Sequence, residues 1–62
     1  MRDVNRIPHI LEQIGEEWKK LPDWRLMQLI CNFQRWCGSD GFYIEDDRLV
    51  EKLKQFTDEI MN

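Results

Sequence analysis

The segment LPDWRLMQLICNFQRWCG, residues 21–38, decides the fold. Pro22 disfavours helical backbone in the residue before it, and Asp23 is a good N-cap, so a helix is expected to begin near residue 23. Gly38 is typical of the residue that ends a helix. Between these limits the apolar residues recur at helical spacing and cover most of the circumference: Trp24, Leu26, Met27, Leu29, Ile30, Cys31, Phe33, Trp36 and Cys37. This pattern predicts a central helix over residues 23–37 with neighbours on two faces.

The chain on either side of this segment predicts two further helices. Apolar residues at steps of three and four predict one helix over about residues 5–20 and another over about residues 46–60. Pro8 must lie in the first turn of the first helix, which favours Asn5 as its N-cap over Asp3. Gly15, in the middle of that helix, is expected where another helix packs closely.

Residues 38–45 are predicted to form a structured loop between the second and third helices. Phe42 and Ile44 are expected to enter the core, with Ile44 packed on Leu49. The three carboxylates at 45–47 suit the positive end of the third helix dipole. Together these elements predict an all-α, three-helix fold for a single domain over residues 1–62.

Length and composition favour a protein that associates with itself or with another protein. A 62-residue domain buries only about 60% of its unfolded surface, and such chains often gain burial from a disulfide, a metal or a partner. Cys31 and Cys37 on one helix lie about 9 Å apart along its axis and face different ways, which excludes a disulfide. With one distant histidine, His9, they do not form a zinc pattern. By elimination, association with another protein or with a second copy of the chain is expected, and the sequence leaves both the homodimer and an unidentified protein partner open.

Charge and hydropathy bear on the remaining partners and on the compartment. Twelve acidic and nine basic residues give a net charge of −3, which argues against non-specific nucleic-acid binding. No apolar stretch follows Met1 as in a signal peptide, and none is long enough to span a membrane. The free cysteines and the lack of an export signal favour a cytoplasmic protein. No membrane is predicted as a partner.

The loop GSDGFYIEDD, residues 38–47, leaves more than one interpretation open. Aligned as a calcium-binding EF-hand, it would place Trp36 and Gly38 at ligand positions, which excludes that motif. A weak Mg²⁺ or Ca²⁺ contact through Asp46 and Asp47 stays open, but no metal or cofactor is predicted. The acids are favoured as a helix start, and the alternative is an exposed recognition patch, formed by Tyr43, Glu45, Asp46 and Asp47.

The sequence does not favour an enzyme. Phosphate-binding glycine motifs and the serine-nucleophile motif are missing from it. His9 is expected on the surface, and both cysteines are expected as buried, inert thiols without a base to activate them. A three-helix unit of this size also offers little room for a substrate pocket.

Two surfaces of the second helix are candidates for binding. The stripe of Trp24, Met27 and Cys31 becomes an exposed apolar interface if the other helices cover only the opposite side. The strip that carries Arg25 and Arg35 supports the alternative of a nucleic-acid-binding or regulatory module.

The segments MRDVNRIPHIL, PDWRLMQLI and FYIEDDRL resemble those of a set of short proteins from bacteria and their phages, to which no function is assigned. The resemblance covers most of the chain and implies a self-contained folding unit. It identifies Arg25 and the FYIEDD stretch as parts of a shared pattern. We expect Arg25 to pair with one of the carboxylates at 45–47. A phage-encoded inhibitor of a host protein is a further interpretation with the same surface predictions.

Overall fold

The computed structural model describes residues 2–38 and 40–62, so Met1 and Ser39 of the predicted loop lie outside it. Three α-helices follow one another: α1 (Arg6–Lys19), α2 (Leu26–Cys37) and α3 (Asp46–Met61). A short 3-10 turn, Gly41–Tyr43, lies between α2 and α3. None of the described residues belongs to a strand, and the all-α three-helix prediction is confirmed. The molecule measures 37 × 24 × 19 Å.

Helix α1 begins at Arg6, which places Pro8 in the first turn as predicted. Asn5 occupies the N-cap position and Pro8 is the third helical residue, so the missing amide of the proline costs no helical hydrogen bond. The side chain of Asn5 does not cap the helix. Instead, the Asn5 amide donates to Asp3 Oδ1 at 3.0 Å. Gly15 was predicted to mark a close helix contact, which is wrong, because a Cβ built there has no neighbour within 4 Å.

Helix α2 begins at Leu26, three residues later than predicted. Residues 21–25 form a turn in which the Trp24 amide donates to the Leu21 carbonyl at 3.1 Å. The Trp24 carbonyl accepts the indole N–H of Trp18 at 2.7 Å. This hydrogen bond holds Trp24 outside α2. Arg25 therefore occupies the N-cap position in place of Asp23, and its amide donates to Gln28 Oε1 at 2.7 Å.

The end of α2 agrees with the prediction, but the loop after it agrees only in part. Gly38 adopts the left-handed conformation, with φ of 72°, that glycine tolerates best. Asp40 then accepts the Phe42 amide at 3.0 Å and starts the 3-10 turn. The prediction that Phe42 enters the core is wrong, because 82% of it is exposed. Ile44 is half-buried.

The core identifies α3, and not α2, as the central helix. Leu29 and Phe33 of α2 pack with Leu53 and Phe56 of α3 in the buried cluster. Both α1 and α2 pack mainly against α3. The predicted central position of α2 is wrong because only one side of its wide apolar surface finds a neighbour, and Met27 and Cys31 remain exposed.

Candidate interaction surfaces

An apolar groove lies between α1 and α2, and Leu49 and Leu53 of α3 also line it. Its volume is about 380 Å³. Leu53 and Phe33 are among the residues that line it from the core, and Gly41 and Ile44 come from the segment before α3. Gln34 lies against Gly41, where an added Cβ would come within 2.9 Å of its Oε1. The full lining is Leu11, Ile14, Leu26, Leu29, Ile30, Phe33, Gln34, Gly41, Ile44, Leu49 and Leu53.

The rims of this groove expose large apolar side chains to water. Leu11 of α1, with 61% of it exposed, and Leu26 and Ile30 of α2 all belong to the lining. Ile7, one turn before Leu11 on the same side of α1, is also exposed. Their apolar, helical spacing predicts that these residues face the core, and their exposure corrects that prediction. Helical spacing identified their apolar stripe correctly but could not show that α1 and α2 pack mainly against α3, which leaves the rims uncovered.

The predicted stripe of Trp24, Met27 and Cys31 does not form one exposed face. Met27 and Cys31 are exposed, but Trp24 is half-buried, with its ring centroid 6.1 Å from that of Phe56. Trp24 precedes the first turn of α2 and so does not keep the register of that helix. Cys31 was also expected to be buried, which is wrong, whereas the half-buried position of Cys37 lies closer to that expectation.

Two of the three carboxylates at 45–47 form ion pairs with arginines near the start of the chain, and not with Arg25. Arg2 Nη2 lies 3.0 Å from Glu45 Oε2, and Arg6 Nε lies 2.8 Å from Asp46 Oδ2. Asp47 Oδ1 accepts the amide of Arg48 at 2.9 Å. The predicted pairing of Arg25 is therefore wrong.

The physical reason is the course of α1, which brings the arginines at positions 2 and 6 to the start of α3. Arg25 and Arg35 of the proposed basic strip are both exposed. Within residues 2–38 and 40–62, no ion pair involves Arg25.

Tyr43 is exposed together with Phe42, next to the paired carboxylates. Their ring centroids are 5.0 Å apart, and the planes are inclined by 75° in an edge-to-face arrangement. Tyr43 is 78% exposed. This small aromatic patch fits the recognition alternative for the loop, but the side chains of Glu45 and Asp46 beside it are already paired with arginines.

A polar network that the sequence analysis missed joins α1 to α3. Glu17 is buried, and its Oε1 accepts the hydroxyl of Thr57 at 2.6 Å and Lys20 Nζ at 2.8 Å. Lys20 Nζ also lies 3.5 Å from Asp58 Oδ1. The position of Glu17 on the helical wheel could have indicated its burial. It falls beside Ile10, at the edge of the apolar stripe.

The network sets the protonation of both its charged members. Burial of the Glu17 carboxylate acts to raise its pKa, but the hydrogen bonds from Lys20 and Thr57 and the charges of Lys20 and Lys54 outweigh burial. The pKa of Glu17 therefore lies below the usual range of a glutamate. The hydrogen bond to Glu17 raises the pKa of Lys20. Both groups stay charged at neutral pH, so the network is a structural tie.

The other chemically reactive groups do not cluster. His9 is exposed on α1, as predicted. Among the residues that the structure describes, no three or more His, Cys, Asp and Glu side chains converge as a metal site. The exposed apolar side chains of the described residues include the rims of the groove, Met27 and the aromatic pair at residues 42 and 43.

Across residues 2–38 and 40–62, none of the helices combines the length and the apolar character needed to cross a membrane. Comparison of the chain with protein-family models, with curated proteins and with solved structures returns no match.

Proposed function

We propose that this chain is a small, non-enzymatic interaction module that binds an apolar helix in the groove between α1 and α2. The observation that carries the proposal is the lining of the groove, in which ten of the eleven side chains or glycines are apolar and none is charged. Exposed apolar surface that is continuous, and not scattered, is typical of binding sites for proteins.

The shape of the groove supports a helix as its ligand. Two helices form its walls, and their exposed residues Leu11, Leu26 and Ile30 lie along its edges. An amphipathic helix places apolar side chains at positions i, i+3, i+4 and i+7, which suits an elongated apolar groove. Small-molecule sites, by contrast, combine an apolar lining with several convergent polar groups, and Gln34 is the one polar side chain in this lining.

The test is a titration of the isotope-labelled protein with a synthetic amphipathic helix that carries leucine at i, i+3, i+4 and i+7. The matched control peptide has the same composition in an order that scatters its leucines around the helix. We expect the first peptide to shift the methyl resonances of Leu11, Leu26 and Ile30, and the control peptide to leave them in place.

A pair of variants of the protein locates the binding. Ile30, 44% exposed, lines the groove, and Ile60, 42% exposed, lies in the last turn of α3 outside it. Ile30→Lys should abolish the shifts because it places an unpaired charge in an apolar site, and Ile60→Lys should not. Equal responses to both peptides, or to both variants, would contradict the proposal.

A further inference from the structure

The accessible surface of the chain is larger than its mass requires. The chain exposes 5050 Å², whereas a compact monomer of 7.6 kDa is expected to expose about 4,300 Å². The excess of about 750 Å² is close to the roughly 800 Å² that each partner contributes to a protein–protein interface of standard size. The chain as a whole therefore exposes about as much additional surface as one partner covers in an interface of standard size.

The charges of the chain are compatible with a second copy of the chain as the partner in the groove. The chain carries a net charge of −3, but no charged side chain lines the groove. Two copies can therefore bring their grooves together without burying a like-charge pair. Acidic and basic side chains stay on the other surfaces, where water solvates them.

The chain also carries a ridge that matches its own groove. Ile7 and Leu11 of α1 lie four residues apart, and both are exposed, as is Val4 just before the helix. This is the anchor spacing by which an amphipathic helix enters an apolar groove. One copy therefore presents both the groove and a helix edge of the kind that fills it, which is the condition for a self-complementary, twofold interface.

We propose that a second copy of this chain fills the groove, with the Leu11 edge of each copy set between α1 and α2 of the other. Helices α1 and α2 of the two copies then form a four-helix layer, and each α3 packs on the outside. The inference rests on the proposed function and names the partner.

Sedimentation equilibrium of the intact chain tests this inference over a range of concentrations up to about 1 mM. Interfaces of this area associate with micromolar or tighter affinity. We expect the wild-type mass to reach twice 7.6 kDa within that range. Ile30→Lys should weaken the dimer at least about 100-fold, because its ammonium group would be buried without a partner. Ile60→Lys should leave the dissociation constant unchanged within about threefold. Far-UV circular dichroism of each variant confirms that it is folded.

The outcomes separate this inference from the function on which it rests. A wild-type chain that stays at 7.6 kDa but still binds the amphipathic peptide overturns the dimer and leaves the interaction module in place. A chain that neither dimerises nor binds the peptide overturns both. A dimer that Ile30→Lys leaves intact places the interface on another surface, such as the aromatic pair at residues 42 and 43, and overturns the inference.

Discussion

The two sides of α1 differ in how completely they are covered by the rest of the molecule. Toward α3, α1 is tied by the buried Glu17–Thr57 hydrogen bond and by the Arg6–Asp46 ion pair. Toward α2, it faces an open apolar groove with Leu11 at its edge. The difference teaches that α1 joins the apolar core and makes its polar contacts on the closed side, and leaves apolar surface free on the open side. A side chain of the same type should therefore matter for folding on one side and for association on the other.

Phe56→Ala is expected to have the largest effect, because this ring packs with Trp24, Phe33 and Trp36 at centroid distances of 5.6–6.1 Å. Removing a buried phenylalanine costs about 3–5 kcal/mol, which is most of the stability of so small a domain. Urea unfolding followed by circular dichroism measures the change, and Phe56→Leu serves if the alanine variant does not fold.

The matched change on the open side is Leu11→Ala. In dilute solution, where the chain is monomeric, it should cost less than about 1 kcal/mol because the side chain is mostly exposed already. Comparable losses in the two variants would contradict the division into a closed and an open side.

Thr57→Val tests the polar tie itself. Valine keeps the shape of threonine but leaves the buried carboxylate of Glu17 without one of its donors, at a cost of about 2 kcal/mol. Thr57→Ser restores the hydroxyl and removes only a methyl group, so it should cost about 1 kcal/mol. If valine proves as stable as wild type, the hydrogen bond does not specify the α1–α3 contact.

The acid dependence of stability should report the same network. Because folding lowers the pKa of Glu17, its contribution is complete above the unfolded pKa and is lost as the pH falls through the folded pKa. The free energy of unfolding should therefore fall below about pH 4.5, and Glu17→Gln should flatten that part of the profile. Glu16→Gln, the exposed neighbour on the same helix, is the control and should retain the wild-type slope.

The smallest expected effect concerns the arginines. Arg6→Ala should cost about 0.5 kcal/mol, because the ion pair with Asp46 is partly exposed, and Arg25→Ala should change the stability by less than that. A double-mutant cycle with Asp46→Asn isolates the pair from the effect of the helix dipole. A larger loss from Arg25→Ala than from Arg6→Ala would favour the pairing that the sequence suggested.

The sequence predicted those features that depend on local spacing. The apolar stripes placed three helices, Pro8 set the start of α1, and Gly38 marked the end of α2. The sequence misplaced the start of α2 because the Trp18 indole donates a hydrogen bond to the Trp24 carbonyl. This contact joins α1 to the turn before α2, so local spacing does not reveal it. The partners of the acids at 45–47 were missed for the same reason.

The groove was beyond prediction because apolar spacing does not reveal the angle between two helices. Ile30 fits the apolar spacing of α2 equally well whether a neighbouring helix buries it or leaves it exposed to water. The buried Glu17 was missed because a glutamate at the edge of a stripe usually points to water. Its burial is tolerated here because Lys20 and Thr57 both donate to its carboxylate.

The most direct test of the open side is a nuclear Overhauser experiment on a mixture of isotope-labelled and unlabelled chains, filtered for contacts between copies. The account predicts intermolecular contacts among the methyl groups of Leu11, Leu26 and Ile30, which line the groove at its exposed edges. Intermolecular contacts confined to Phe42 and Tyr43, or none at concentrations near 1 mM, would contradict the proposal that a second copy fills the groove.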